Sequence, residues 1–133
     1  MKTLPTNKAD RLYIMLDRKA NNRALVKVGI TEDTLKNRIH CYRTSNPLLE
    51  LVAVSEVRTN YDLHAVEDLF FDYLRETKEC EHIFGEWLEI IGEEEIEAVA
   101  TLGFKYFDKL FYRVKNIEFY NIEVCKLWAS RKR

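Results

Sequence analysis

Five polar residues in the first half of the chain are not explained by its hydrophobic pattern: Tyr13, Lys27, Arg38, Tyr42 and Glu67. Arg and Lys are cations that can bind an anionic group, a Glu carboxylate can pair with a cation or a metal ion, and a Tyr hydroxyl can donate and accept hydrogen bonds. Whether they can act together depends on the elements that position them.

Two apolar segments, RLYIMLD and ALVKVGI, are separated by the turn-prone RKANNR and predict a β-hairpin. In the second segment Lys27 and Gly29 alternate with apolar residues, so both lie on one face of the strand. Gly29 has no Cβ and therefore allows another group to approach the backbone closely.

The segment after the hairpin predicts a helix over residues 32–43, capped by the hydroxyl of Thr31. Arg38 and Tyr42 are four residues apart, which makes them neighbours on this helix. The segment LLELVAVSEV then predicts a third strand of the same sheet.

A second helical pattern extends from Tyr61 to about Thr77, and Glu67 lies beside its apolar side. An unpaired buried carboxylate is costly, so Glu67 should face a cation, a metal ion or a hydrogen-bond donor. The alternative is a Glu at the rim of the helix that reaches water.

The C-terminal half is predicted to contain a short strand around Trp87, with Trp87 in the core, and then a helical stretch over residues 92–116. The aromatic tail is expected to pack as a helix. The fold class is therefore α/β, or more narrowly α+β, with a small, mostly antiparallel sheet flanked by helices. We expect a core over residues 1–92 and a helical extension over residues 93–133.

Composition excludes several classes of protein. No apolar run approaches the roughly 18 residues of a membrane span, and the N-terminal segment lacks an apolar signal core, so we expect an intracellular, cytoplasmic protein. Cys41, Cys80 and Cys125 are odd in number and have no C-x-x-C spacing, which favours reduced thiols over disulfides or a zinc site.

Charge is segregated along the chain, although the net charge is −1. Residues 1–58 carry eleven Lys and Arg against six Asp and Glu, whereas residues 76–103 carry one Lys against nine Glu. This pattern permits a polyanion partner on one face. A mixed, solvated surface is the alternative.

The order of motifs resembles the GIY-YIG nuclease superfamily. RLY stands where G-I-Y would be, KVG stands where Y-I-G would be, and Arg38 follows Gly29 by nine positions. The phage- and virus-associated branch is more similar still, because VKVGIT, Arg38, SNP, Glu67 and GEWLEI follow in its order over residues 11–92. Arg11 stands where the motif has its first Gly. This position is expected to affect the shape of the backbone and not the chemistry.

The resemblance implies a role for each residue of the set. Glu67 would hold one divalent ion, Mg²⁺ or Mn²⁺, and Arg38 would bind the scissile phosphate. Tyr13 would orient or deprotonate the attacking water, and Tyr42 would contact the phosphate or the leaving group. Lys27 replaces the second motif's Tyr, so it would lower the pKa of Tyr13 or contact a phosphate.

The function that follows from the resemblance is a metal-dependent DNA endonuclease encoded by a phage, virus or mobile element. Lys27, Gly29, Lys36, Arg38 and Arg43 are the candidate nucleic-acid contacts, with the alternative that Lys36 and Arg43 are solvated charges. A second hypothesis is an inactive module of the same fold that binds nucleic acid or a host protein. A third is an interaction protein that forms a homodimer through its aromatic tail, and the sequence does not separate DNA from RNA.

Overall fold

The computed structural model describes residues 4–17, 25–57, 63–76, 80–85, 87–90, 100–101, 103–105 and 114–120. In chain order the elements are β1 (Arg11–Asp17), β2 (Leu25–Thr31), α1 (Leu35–Ser45), β3 (Leu49–Val57), α2 (Leu63–Glu76), β4 (Cys80–Phe84), β5 (Trp87–Ile90) and β6 (Val114–Phe119). The strands form one six-stranded sheet in the order β4-β5-β2-β1-β3-β6, and every pairing is antiparallel. The predicted α+β class, with an antiparallel sheet and flanking helices, is confirmed.

As predicted, β1 and β2 form a hairpin and β3 belongs to the same sheet, and these three strands lie at its centre. Tyr13 is directly opposite Gly29 in the β1–β2 register, and Leu12 is opposite Ile30. A register shift between Ile14 and Met15 interrupts the pairing of β1 with β3. The register therefore aligns the last residue of the RLY motif, Tyr13, with the glycine of the KVG motif.

Strand alternation divides the core into two layers. On one face, residues such as Leu12 and Val28 pack with Phe70 and Leu74 of α2. On the other, Tyr13 and Met15 belong to the cluster of Leu35 from α1, against which Ile39, Tyr42 and Trp87 also pack. The candidate polar residues of β1 and β2 therefore lie on the α1 face.

The predicted start of α1 is wrong by three residues. Leu35 is the first helical residue, and the N-cap is Thr34, whose hydroxyl accepts the backbone N–H of Asn37 at 3.3 Å. Thr31 instead ends β2, and its hydroxyl accepts the N–H of Asp33 at 3.1 Å. The prediction overlooked Thr34 as a cap, and Thr31 is instead held in the sheet by its pairing with β1.

The single strand predicted around Trp87 is one half of a hairpin. β4 pairs antiparallel with β5, and Gly85, between them, has a φ of 51°. This left-handed conformation favours glycine. α2 matches its predicted range closely, since it extends over Leu63–Glu76.

The C-terminal region is helical only in part. Residues 100–101 and 103–105 are helical as predicted, and the ring of Phe104 stacks on that of Phe70 of α2 at 5.2 Å. Val114–Phe119, however, form strand β6 beside β3, so the helical prediction is wrong there. Asn116 has a φ of 53°, which an α-helix does not accept, and the open edge of β3 offers the backbone partners.

The predicted tail helix lies outside the described residues beyond position 120. Division of the chain at residue 92 remains a prediction. Among the helices that the structure describes, none is long and apolar enough to span a membrane.

Candidate active site

The centre of the site is the contact between Tyr13 on β1 and Gly29 on β2. Tyr13 is only 1% exposed. A Cβ placed on Gly29 would overlap the phenol of Tyr13, with Oη and Cζ as its nearest atoms. The missing side chain of Gly29 thus leaves the space that the Tyr13 phenol occupies.

Helix α1 supplies two residues that meet this phenol. Tyr42 lies with its hydroxyl 2.8 Å from that of Tyr13, and the two rings are tilted by 52°. Arg38 donates from Nε to Tyr13 Oη at 3.2 Å. The i, i+4 spacing therefore brings Arg38 and Tyr42 to one atom of β1, as the helical pattern indicates.

Two cations flank the Tyr42 ring. Lys27 Nζ lies 5.0 Å from the ring centroid, and the guanidinium carbon of Arg38 also lies at 5.0 Å. Both distances are within the roughly 6 Å at which a cation is attracted to an aromatic face. Lys27, Arg38, Tyr13 and Tyr42 thus form one group of side chains, which we call the tyrosine–cation cluster.

Trp87 is a site residue that the sequence did not reveal. It was expected in the core, and it is half-buried against the α1-face cluster. It also lies opposite Lys27 in the β5–β2 register, with Lys27 Nζ 5.9 Å from its ring. The contact between Trp87 and Lys27 depends on the pairing of β5 with β2. The local sequence GEWLEI does not predict that pairing.

Burial raises the pKa of the Tyr13 phenol far above its usual value, and the hydrogen bond with Tyr42 acts in the same direction. The hydrogen bond from Arg38 opposes the shift without reversing it. Tyr13 is therefore a neutral phenol at physiological pH. The prediction that Lys27 lowers this pKa finds no support, because the shift is upward.

Arg38 is held in its charged form by the same contacts. Its pKa is raised, first by the hydrogen bond to Tyr13 and then by the fields of the two tyrosines, while partial burial opposes this. The cluster consequently keeps its positive charge at any physiological pH. A half-buried cation of this kind suits an anionic partner such as a phosphate.

Glu67 reaches the same strand from α2. Its Oε2 accepts the backbone N–H of Ile30 at 3.0 Å, which confirms the prediction that this carboxylate faces a hydrogen-bond donor. The side chain is half-buried. Ile30 directly follows Gly29, so Glu67 and Tyr13 contact neighbouring residues of β2.

The remaining predicted contacts lie apart from the cluster. Lys36 and Arg43 are exposed on α1. Arg43 donates from Nε and Nη2 to the carbonyl of Pro47, at 3.3 and 2.9 Å, and so closes the end of the helix. No contact in the described part of the chain links either residue to Tyr13 or Tyr42.

The donor set around Glu67 limits which metal could bind. In the described ranges, no group of three or more His, Cys, Asp or Glu side chains could hold an ion. One carboxylate fits Mg²⁺ or Mn²⁺, which keep several water ligands, and does not fit a zinc site built from protein ligands.

Fold and site together define a small α+β domain that gathers two cations and two tyrosines on one face of its sheet. The chain matches the T5orf172 domain over residues 10–102 and belongs to that family. This is a phage-associated domain found in nuclease-related proteins, and membership is consistent with nucleic-acid binding. No curated protein and no solved structure matches the chain.

Proposed function

We propose that this protein is a metal-dependent endonuclease of the GIY-YIG type, encoded by a phage, virus or mobile element, which hydrolyses phosphodiester bonds in DNA. The observation that carries the proposal is that Tyr13 lies against Gly29 and is hydrogen-bonded to Arg38, while Glu67 accepts the N–H of Ile30, the next residue of β2. The three come from different elements, and each matches a position of the family motif.

Arg38 and Lys27 are the groups that would bind the phosphate. Both lie at 5.0 Å from the Tyr42 ring, so their charges converge on one small region of the α1 face. Arg38 donates to Tyr13 Oη through Nε and also has a hydrogen bond with Tyr42, and its guanidinium carries further N–H groups. A guanidinium can use such groups to bind two oxygens of a phosphate.

Glu67 is the residue that would hold the divalent ion. When bound, Mg²⁺ or Mn²⁺ lowers the pKa of a water ligand and neutralises charge on the phosphate. The hydrogen bond from Ile30 N–H fixes Oε2. A carboxylate oxygen is the ligand type that hard cations such as Mg²⁺ prefer.

A second candidate function is a module of the same fold that binds nucleic acid, or a host protein, without cleaving it. The observation that favours it is Lys27, which stands at the second motif's Tyr and lies beside Tyr42. In this second function the tyrosine–cation cluster binds phosphate and takes no part in cleavage. Homodimerisation through residues 104–128 and action on RNA also remain predictions, and light scattering over a concentration series tests the first.

Plasmid nicking tests the proposed function. Native protein is incubated with supercoiled plasmid and Mg²⁺ or Mn²⁺, beside Arg38→Ala and Glu67→Ala. Arg75→Ala is the control, because Arg75 is an exposed arginine of α2 paired with Asp72. We expect native protein and Arg75→Ala to nick the plasmid only with metal, and the other two variants to be inactive.

The same samples separate the two candidate functions. DNA that is retained but never cleaved by native protein, and that is released by Arg38→Ala, would establish the binding module. Equal nicking by all four proteins would point to a contaminating nuclease and would reject the proposed site.

A further inference from the structure

The α1 face of the sheet is only partly covered where β2 pairs with β5. Four residues share that face in two directly opposed pairs, Leu25 with Glu89 and Lys27 with Trp87, and all four are half-buried. The residues that alternate with them on the opposite face are buried: Val26, Leu88 and Ile90. Leu25, Lys27, Trp87 and Glu89 therefore form an accessible surface, which we call the β2–β5 surface.

This surface is continuous with the tyrosine–cation cluster through Lys27. Its Nζ lies 5.0 Å from the Tyr42 ring centroid and 5.9 Å from that of Trp87, so one cation serves both. The buried strand residues packed with Leu35 of α1 belong to β1 and β3, whereas β2 and β5 lie on the other side of β1. Trp87 is thus beside the helix, next to the cations that would hold a phosphate.

The charges on the β2–β5 surface indicate which part of a nucleotide fits it. Trp87 and Glu89 are two residues apart on β5, so both face the same way. The carboxylate of Glu89 repels a phosphate, whereas it can accept a hydrogen bond from the amino group of a base. A neutral base therefore suits the Trp87 end of this surface, and the phosphate suits the end at Lys27 and Arg38.

We infer that Trp87 is a stacking platform for a nucleobase of the bound strand, adjacent to the phosphate held by Lys27 and Arg38. A large, half-exposed indole offers its ring to any base, so this contact selects no sequence. The inference rests on the proposed function for its class of ligand, a nucleic acid. The position of the platform rests on the β2–β5 register.

Stacking on Trp87 also restricts the form of the substrate. Inside a regular duplex both faces of a base are covered by its neighbours, so a protein ring reaches only a base that is unpaired or turned out of the helix. The nucleotide at the β2–β5 surface is therefore an unpaired one. Substrates with a single-stranded nucleotide beside the bound phosphate are favoured over a perfectly matched duplex.

Three oligonucleotides of one sequence test the inference: a matched duplex, the same duplex with one unpaired nucleotide, and the single strand. Affinities are measured by fluorescence anisotropy in EDTA for native protein, Trp87→Leu and Trp87→Phe. Phe71→Leu is the matched control, because Phe71 is a half-buried aromatic residue of α2 on the opposite face. Urea denaturation of each variant establishes that it is folded.

We expect native protein to prefer the two oligonucleotides with unpaired bases by about 5- to 100-fold, the range for one stacked base. Trp87→Leu should lose this preference and bind the matched duplex as native protein does. Trp87→Phe should retain most of it, because Phe keeps an aromatic face. Phe71→Leu should match native protein.

Intrinsic fluorescence gives a second readout that leaves Trp87 in place. Trp87 and Trp128 are the two tryptophans of the chain, so Trp128→Phe leaves Trp87 as the single indole emitter. The single strand should quench this emission, and the matched duplex should quench it less. Emission that the single strand leaves unchanged would show that no base contacts Trp87.

Equal losses for Trp87→Leu on all three oligonucleotides would overturn the inference, because Trp87 would then only support Lys27 through its ring. Metal-dependent cleavage of the matched duplex at the same rate by native protein and Trp87→Leu would reject the platform and leave the nuclease. The expected preference without any cleavage would reject the nuclease alone. Native protein that binds none of the three would reject both proposals.

Discussion

The phenol of Tyr13 fills the space that a side chain on Gly29 would occupy. Because the two residues are paired across β1 and β2, a side chain on Gly29 would meet the phenol directly and would have to displace it. The position of the Tyr13 ring therefore requires a glycine at position 29. Because Arg38 and Tyr42 contact the Tyr13 hydroxyl, their positions also depend on this glycine.

We expect Gly29→Ala to displace the Tyr13 ring and to separate Tyr13 Oη from its partners on α1. The cost in free energy of unfolding should be about 1–3 kcal/mol, as for other overpacked sites. DNA binding should fall as well, because the anchor of Arg38 is lost. Urea denaturation and fluorescence anisotropy measure the two effects.

Gly85→Ala is the control for this change. Gly85 has a φ of 51° but open space where a Cβ would lie, so the substitution strains the backbone without touching the cluster. It should lower stability by about 1 kcal/mol and leave DNA binding unchanged. Equal binding by both variants would contradict the role given to Gly29.

Two substitutions of Glu67 separate its structural role from its proposed role as a metal ligand. Glu67→Gln keeps a carbonyl oxygen that can accept the Ile30 N–H, so the free energy of unfolding should change little. Glu67→Ala removes the acceptor and should cost about 1–3 kcal/mol. Metal-dependent cleavage should be lost in both, since neither retains a carboxylate.

Asp68→Asn is the matched control, because Asp68 follows Glu67 on α2 and is exposed. It should retain both stability and cleavage. Full activity of Glu67→Gln would show that the carboxylate is structural and that the ion, if any, binds elsewhere.

Lys27 should account for about one phosphate contact. Replacing it with Met keeps the aliphatic stem between Tyr42 and Trp87 but removes the charge. In a titration of DNA affinity against salt, the slope of log K against log salt should become shallower by about 0.9. Fluorescence anisotropy at several salt concentrations measures this slope.

The Lys105→Met variant serves as the charge control. Lys105 is exposed and follows Phe104, which stacks on α2 at the opposite face of the sheet. Its removal should leave the slope unchanged. If both variants reduce the slope equally, the affinity depends on overall charge and not on the cluster.

Local pattern was sufficient for much of the fold. The hairpin, β3 and α2 follow from alternation and helical periodicity, because each is set by residues near one another in sequence. β6 was missed because a strand at the edge of a sheet depends on the free backbone groups of β3, which are far away in sequence. The strand propensity of residues 114–119 alone does not predict their pairing with β3.

Some contacts of the site also follow from local sequence, whereas others depend on the tertiary fold. The adjacency of Arg38 and Tyr42 follows from helix geometry, whereas their meeting with Tyr13 needs α1 packed on the sheet. The Lys27–Trp87 contact needs the β2–β5 register.

Alkaline pH should reveal the buried tyrosine. The pKa of Tyr13 is raised in the folded protein from a usual value of 10.0, so above pH 10 the folded state holds a proton that the unfolded state has released. Stability from this group is complete below pH 10 and decreases as pH rises. Tyr120 contributes in the same sense, because burial raises its pKa to about 12.

We therefore expect the free energy of unfolding to decline between pH 10 and 12, and to decline less steeply in Tyr13→Phe and in Tyr120→Phe. Urea denaturation at several pH values gives the slopes. If the slope in Tyr13→Phe equals that of native protein, Tyr13 ionises freely in the folded state, which would contradict the burial of its phenol.

Arg11 is a buried charged residue at the position where the GIY-YIG superfamily, which this chain resembles, has its first glycine. Its side chain is only 2% exposed and donates to Glu56 Oε1 at 3.3 Å and to the carbonyl and side chain of Asn7, both at 2.9 Å. Asn116 of β6 donates to the other oxygen of Glu56. Arg11 thus ties the segment before β1, strand β3 and strand β6 together, which is a structural role.

Arg11→Ala should therefore destabilise the protein by about 3 kcal/mol, because it leaves the carboxylate of Glu56 without its cation. Arg75→Ala is the comparison, since the Arg75–Asp72 pair also spans 3.3 Å but both side chains are about half exposed. That variant should cost no more than about 0.5 kcal/mol, because water screens the pair. Urea denaturation of both variants measures the difference, and equal costs would show that the Arg11–Glu56 pair is solvated in solution.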